Sequence, residues 1–200
     1  NLFKMFKEMF SRYNQSSKIK LPILKEIGYP KFDFLEKQLK NDLKSQKNSI
    51  IIAPTDINAF PYLTLIDNLK ELIDELICKT DFHIIYRPHP YNQHDPKILQ
   101  INDLFKSNNK FHFDIGPDDS SIYSKSMFLV TDQSDIAYMF AFLTMSPVIF
   151  FSKEEKEIKS YNYHKLKYFS NREKIGIVIN QVTSISEKIN KLRFELKKYE

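Results

Sequence analysis

Ser49-Ile50-Ile51-Ile52-Ala53-Pro54-Thr55-Asp56 is a short run of apolar residues that ends abruptly in proline and polar residues. A continuous apolar run of this length, closed by turn-forming residues, reads as a strand over 49–53 buried on both faces. Over 61–80 the period changes: Leu63, Ile66, Leu69, Leu72, Ile73, Leu76 and Ile77 recur at helical spacing and predict a long helix. The same alternation continues downstream. Strands are expected over 82–86, 111–115, 127–131 and 148–151. Helices are expected over 96–106, with Ile98, Leu99, Ile101, Leu104 and Phe105 as the apolar side, and over 134–144, with a short helical turn over 120–124. Five apolar strands separated by helices predict an α/β domain of Rossmann-like, doubly wound type. Its parallel sheet carries ligands at the carboxyl ends of the strands.

Outward from this repeat the chain is less regular. Residues 171–200 read as one long helix, with Ser170 and Glu173 forming a capping box and Gly176 a point of weakness. At the other end, Leu2, Phe6, Met9 or Phe10 and Tyr13 recur at helical spacing beside Lys4, Lys7 and Arg12 over 2–13. Such a basic amphipathic helix is expected to pack on a domain or on a missing neighbour, with contact to anionic lipid as the alternative. The expected organisation is therefore an N-terminal helix and linker over 1–48, then the Rossmann-like domain over 49–200. The chain starts on Asn1 and is expected to be a piece excised from a longer protein.

Composition narrows the function. With 42% apolar and 28% charged residues the 200-residue chain is globular, and three glycines are too few for a phosphate loop or a dinucleotide fingerprint. A net charge of +5 without a basic stripe suits an anionic small ligand or a membrane surface and gives no sign of nucleic-acid binding. No run is long enough to span a bilayer. Cys78 is expected in the core of its helix and His83 in the core of its strand, while His94, His112 and His164 have no partner at metal-ligand spacing. No metal site is expected, and a Gly-x-Ser-x-Gly elbow is absent.

Polar residues gather instead where the strands end. Ala53-Pro54-Thr55-Asp56 follows the first strand, Tyr86-Arg87-Pro88-His89-Pro90 the second, and Thr131-Asp132-Gln133-Ser134-Asp135 the fourth. Prolines hold Arg87 and His89 on a stiff extended segment, a placement that suits neutralising a departing phosphate and equally suits a plain surface turn. The residues from Asp132 to Asp135 open a helix whose free amides and hydroxyl can hold an anion, or whose side chains simply cap it.

Together these clusters resemble the CDP-glycerol glycerophosphotransferase family of teichoic-acid and capsule polymerases, within the GT-B superfamily. Family members show a strand ending in Ala-Pro-Thr, matched by Ile50-Ile51-Ile52-Ala53-Pro54-Thr55, and one ending in Arg-Pro-His-Pro, matched from Arg87 to Pro90. Their Thr-Asp-Tyr-Ser-Ser, Phe-Asp and Pro-Ile-Ile blocks are matched by Thr131-Asp132-Gln133-Ser134-Asp135, Tyr138-Met139 and Pro147-Val148-Ile149. The stretch Gly28-Tyr29-Pro30-Lys31-Phe32-Asp33 looks like the segment that closes the acceptor domain, which places that domain upstream of Asn1. Asp135 stands where the family has its second serine, and Met139 where it has an aspartate.

The resemblance implies the nucleotide-donor half of a transferase that passes glycerol phosphate from CDP-glycerol to an acceptor hydroxyl of a cell-surface polymer. It needs no cofactor beyond the nucleotide-activated donor, and the fragment alone is expected to be inactive. Arg87 and His89 would be the catalytic residues. Thr55, Asp132, Gln133, Ser134 and Asp135 would bind the donor, with Asp132 orienting the loop. The implied partners are a nucleotide-linked donor and a polysaccharide or lipid-linked acceptor, met in the cytoplasm or on the inner face of the membrane. A sugar transferase or epimerase with a nucleotide sugar, and a non-catalytic domain of the same fold, are the alternatives.

Overall fold

In the computed structural model the described residues are 23, 25, 28–42, 47–59, 61–117, 121–153, 155 and 166–196, those at 40–42 by backbone only. The expected helix over 2–13 and His164 lie outside them. By its contacts the chain divides into residues 1–34 and residues 35–200. Helix α1 (Pro30–Asp42) begins within the first of these, and in the second its Leu35 and Leu39 are buried.

The second unit is built on parallel strands β1 (Ser49–Ile52), β2 (His83–Tyr86), β3 (Phe111–Phe113), β4 (Ser126–Thr131), β5 (Val148–Phe151) and β6 (Gly176–Ile179). Among the described residues they form one six-stranded sheet in the order β3-β2-β1-β4-β5-β6. The chain moves outward from β1 in one direction as far as β3, then returns and moves outward in the other. This is the doubly wound order, with its switch point between β1 and β4. Ile50 and Ile52 face a core shared with Leu69, Leu72, Ile73 and Leu76 of α2 (Leu69–Lys79), and with Ile98, Ile101 and Phe105 of α3 (Pro96–Phe105). Alternate residues such as Ile51 and Leu129 face the other side. There Tyr123 of α4 (Ser121–Ser124) and Phe140 of α5 (Ile136–Thr144) are buried with their rings 6.3 Å apart. Cover on both faces is why the strands read as unbroken apolar runs. Each buried isoleucine contributes about 1.5–3 kcal/mol.

Several expectations are corrected. The helix expected over 61–80 is α-helical only from Leu69, after a 3-10 turn at Ile66–Asn68. The amide of Leu65 is taken by Asp132 Oδ2 at 3.0 Å, which holds the preceding residues in a loop. Leu99 and Leu104 are exposed, because α3 buries a narrower stripe than its apolar content offered. The long helix over 171–200 is absent. After the short helix α6 (Lys167–Ser170), its place is taken by the short helix α7 (Arg172–Ile175), then β6, a 3-10 turn at Val182–Ser184, and α8 (Ile185–Leu196). Ser170 sits inside α6 and caps nothing. The run Ile177-Val178-Ile179 is β-branched and pairs with the otherwise open edge of β5. Gly176 begins that pairing because a Cβ there would lie 1.8 Å from the carbonyl oxygen of Val148. Cys78 and His83 are exposed rather than buried: one lies on the outer side of α2, the other at the solvent-facing start of β2.

Candidate functional site

The carboxyl ends of β1 and β4 are neighbours, so the residues that follow them meet at the switch point. Ala53 donates its amide to the Val130 carbonyl at 3.0 Å, and the Thr131 hydroxyl donates back to the Ala53 carbonyl at 2.6 Å. One step further, Asp132 is 3% exposed and its carboxylate is filled by backbone amides. Its Oδ1 accepts from Thr55 at 2.9 Å and from Gln133 at 2.6 Å, and its Oδ2 accepts from Leu65 at 3.0 Å. Burial pushes the Asp132 carboxyl above the ordinary range, against the opposing pull of these N–H groups. An acceptor occupied in this way shapes the loops around it.

The end of β2 is stitched to both of its neighbours. Asn92, 1% exposed, donates from Nδ2 to Asp56 Oδ1 at 3.0 Å and accepts from the Ile57 amide at 3.1 Å. The Asp56 carboxyl is held below the ordinary range by the Asn58 amide and by Asn92. Arg87 pairs through Nη1 with Asp114, which follows β3, and through Nη2 with the Gly116 carbonyl at 3.1 Å. Its guanidinium is thereby set in one orientation. His89 Nδ1 accepts from the Tyr91 amide at 3.3 Å, so the neutral ring carries its proton on Nε2.

Helix α5 begins at Ile136, with Asp135 in the cap position making no side-chain capping bond. Asp135 is exposed, and Ser134 and Gln133 are half-buried. The Ala137 amide is taken by the Ser134 carbonyl at 3.1 Å, and among the described residues no side chain caps the amides of Asp135 and Ile136. Beyond β5, Tyr62, Thr64, Asp67, Asn68, Ser152 and Lys153 line a mostly polar cavity of about 240 Å³.

The structure thus brings Thr55 against Asp132 and Gln133, and joins the Arg87 and His89 turn to the first cluster through Asn92. Sequence reading missed Asn92, Asp114, Tyr168 and Arg172. The strand-end rule that singled out Asp56 and Asp132 applied equally to Asp114. Arg172 is 3% exposed and bonds both carboxylate oxygens of Glu155, at 2.8 and 3.0 Å, beneath the rings of Phe150 and Phe169. Nothing in the sequence pairs those two residues. Among the described residues no helix is long and apolar enough to cross a membrane.

Comparison with solved structures finds this fold in the wall teichoic acid polymerase TagF. The TM-score is 0.54 at 20% identity, over 87% of this chain and 44% of that one. A variant of TagF soaked with CDPG gives a TM-score of 0.54 at 21% identity, over 88% of this chain and 44% of that one. The chain therefore spans less than half the length of these structures, and at such identity the likeness is one of fold. Among curated proteins no relative matches. The sequence itself matches, over residues 4–200, the model of the family described as CDP-Glycerol:Poly(glycerophosphate) glycerophosphotransferase. The match runs over nearly the whole chain, and the chain belongs to the CDP-glycerol:poly(glycerophosphate) glycerophosphotransferase family.

Proposed function

We propose that this chain supplies the donor-binding half of a transferase that moves glycerol phosphate from CDP-glycerol to a hydroxyl of a growing cell-surface polymer, of teichoic-acid or capsule type. The observation that supports this reading most is the lateral stitching of four successive strand ends around the switch point, with Arg87, His89 and the start of α5 on that side of the sheet. The diphosphate lies against Ser134 and the amides that open α5, where a helix N-terminus favours negative charge. Arg87, pre-oriented by Asp114, and His89, through Nε2–H, balance the charge that develops on the departing phosphate. Thr55 lines the cleft, Asp132 and Gln133 set the loops, and Asp135 turns its carboxylate to solvent. The polar cavity beyond β5 takes the nucleoside end.

In this reading the acceptor oxygen bonds to the β-phosphorus, the bond from that phosphorus to the bridging oxygen breaks, and CMP leaves with the electron pair. The hydroxyl proton passes to a base on the acceptor-binding part of the protein. Donor and lipid-linked acceptor meet at the cytoplasmic face of the membrane, with no cofactor besides the activated donor.

Calorimetric titration with CMP, CDP, UDP and GDP tests the site, and cytidine nucleotides are expected to bind. Absence of binding by all four at millimolar concentration would sink the reading. With the full-length protein a phosphodiester product is expected, whereas a glycosidic bond or an epimerised sugar would replace CDP-glycerol as the donor. His89→Ala is expected to lower kcat by on the order of 10²–10³.

A further inference from the structure

Helix α6 carries a tyrosine that reaches back to the start of α5. The Tyr168 hydroxyl donates to the main-chain carbonyl of Ser134 at 3.0 Å, across 34 residues of sequence. The Tyr138 hydroxyl, from the first turn of α5, donates to the main-chain carbonyl of Tyr168, and the two rings meet edge to face at 5.3 Å. The bonds run in opposite directions between the same two segments, so neither segment can turn without breaking one of them. The far side of this latch is fixed as well. Arg172, just after α6, is buried against Glu155, donates from Nε to the Phe169 carbonyl at 3.3 Å, and lies over the Phe169 ring. Tyr168 and Phe169 also touch, with centroids 5.1 Å apart.

We infer that Tyr168 is a positioning residue for the donor's phosphates: by holding the Ser134 carbonyl from behind, it fixes the direction in which the amides opening α5 point. This rests on the donor site proposed above. The carbonyl of Ser134 also accepts from the Ala137 amide at 3.1 Å, so the peptide that Tyr168 grips closes the turn leading into the helix. A phenol suits the task because it must stay a donor. Burial, with Asp132 and Asp135 nearby, pushes the Tyr168 hydroxyl above its ordinary range, so it keeps its proton throughout the neutral region. Phenylalanine at this position keeps the ring contacts and removes only the hydrogen bond.

The test compares the parent protein with Tyr168→Phe and Tyr138→Phe, using CDP as the probe. Losing one neutral hydrogen bond behind the loop is expected to weaken CDP binding about two- to tenfold in Tyr168→Phe, and less in Tyr138→Phe. In the full-length enzyme the KM for CDP-glycerol rises more than kcat falls. Amide hydrogen exchange over 134–137 is expected to quicken in both variants while exchange in β1 and β4 stays as in the parent, a readout that needs no nucleotide. Unchanged exchange over 134–137 overturns the latch. Quickened exchange with parental CDP affinity overturns its role in donor binding. A parent that itself fails to bind CDP overturns the donor reading and this role with it, a result distinct from a failure of Tyr168→Phe alone.

Discussion

The Thr55 amide donates to Asp132 Oδ1 at 2.9 Å and so ties the loop after β1 to the loop after β4, at the point where the sheet changes direction. The same carboxylate holds the Leu65 amide, so one side chain sets both ends of the loop over 55–65. Asp132→Asn keeps the shape and turns one acceptor into a donor that faces an N–H. A loss of about 2–4 kcal/mol is expected, read as a lower urea midpoint with an unchanged slope.

Asp132 also gives the protein a pH signature. Its folded value lies above the ordinary 3.8, so in the window that opens there the folded state binds more protons than the unfolded one. Its contribution is greatest below 3.8 and declines as pH rises through the folded value, then stays level. The difference in unfolding free energy between parent and Asp132→Asn, followed from acid to neutral pH, should carry that negative slope. A positive slope would contradict the assignment.

Asn92 is the joint between the first two strand ends. Truncation by Asn92→Ala leaves the Ile57 amide without its acceptor and Asp56 without one donor, a cost of about 1–3 kcal/mol. Proteolysis should then cut within the Asp56 loop before the domain unfolds.

Arg172 and Glu155 form a largely buried ion pair. Removing the cation alone with Arg172→Ala should cost about 3–5 kcal/mol, because the carboxylate is left behind. The double variant Arg172→Met with Glu155→Leu should recover most of that loss. Thermal unfolding of the single and double variants distinguishes this from a simple loss of packing.

Much of the sheet was legible because each central strand is a continuous apolar run cut off by proline or a polar residue, a signal that survives without knowledge of its neighbours. The sixth strand was not, since Ile177-Val178-Ile179 fits either period and only the open edge of β5 decides between them. Likewise the start of α2 is set by a carboxylate 67 residues away, which no local pattern around Leu65 carries. The strand-end rule found Thr55, Arg87 and Asp132. Their partners Asn92 and Asp114 emerge only from the order of the strands. The exposure of Cys78 and His83 depends on which side of an element turns outward, and a single residue in a pattern does not fix that.

The Thr55 bond to Asp132 spans 77 residues. During synthesis, β1 and its loop therefore leave the ribosome well before the carboxylate that shapes them exists. Until β4 docks, the amides of Thr55 and Leu65 have only water to bond. This side of the domain is thus assembled late and all at once, and a chain interrupted ahead of residue 132 would carry the first two strand-end motifs in sequence yet lack the carboxylate that shapes the loop between them.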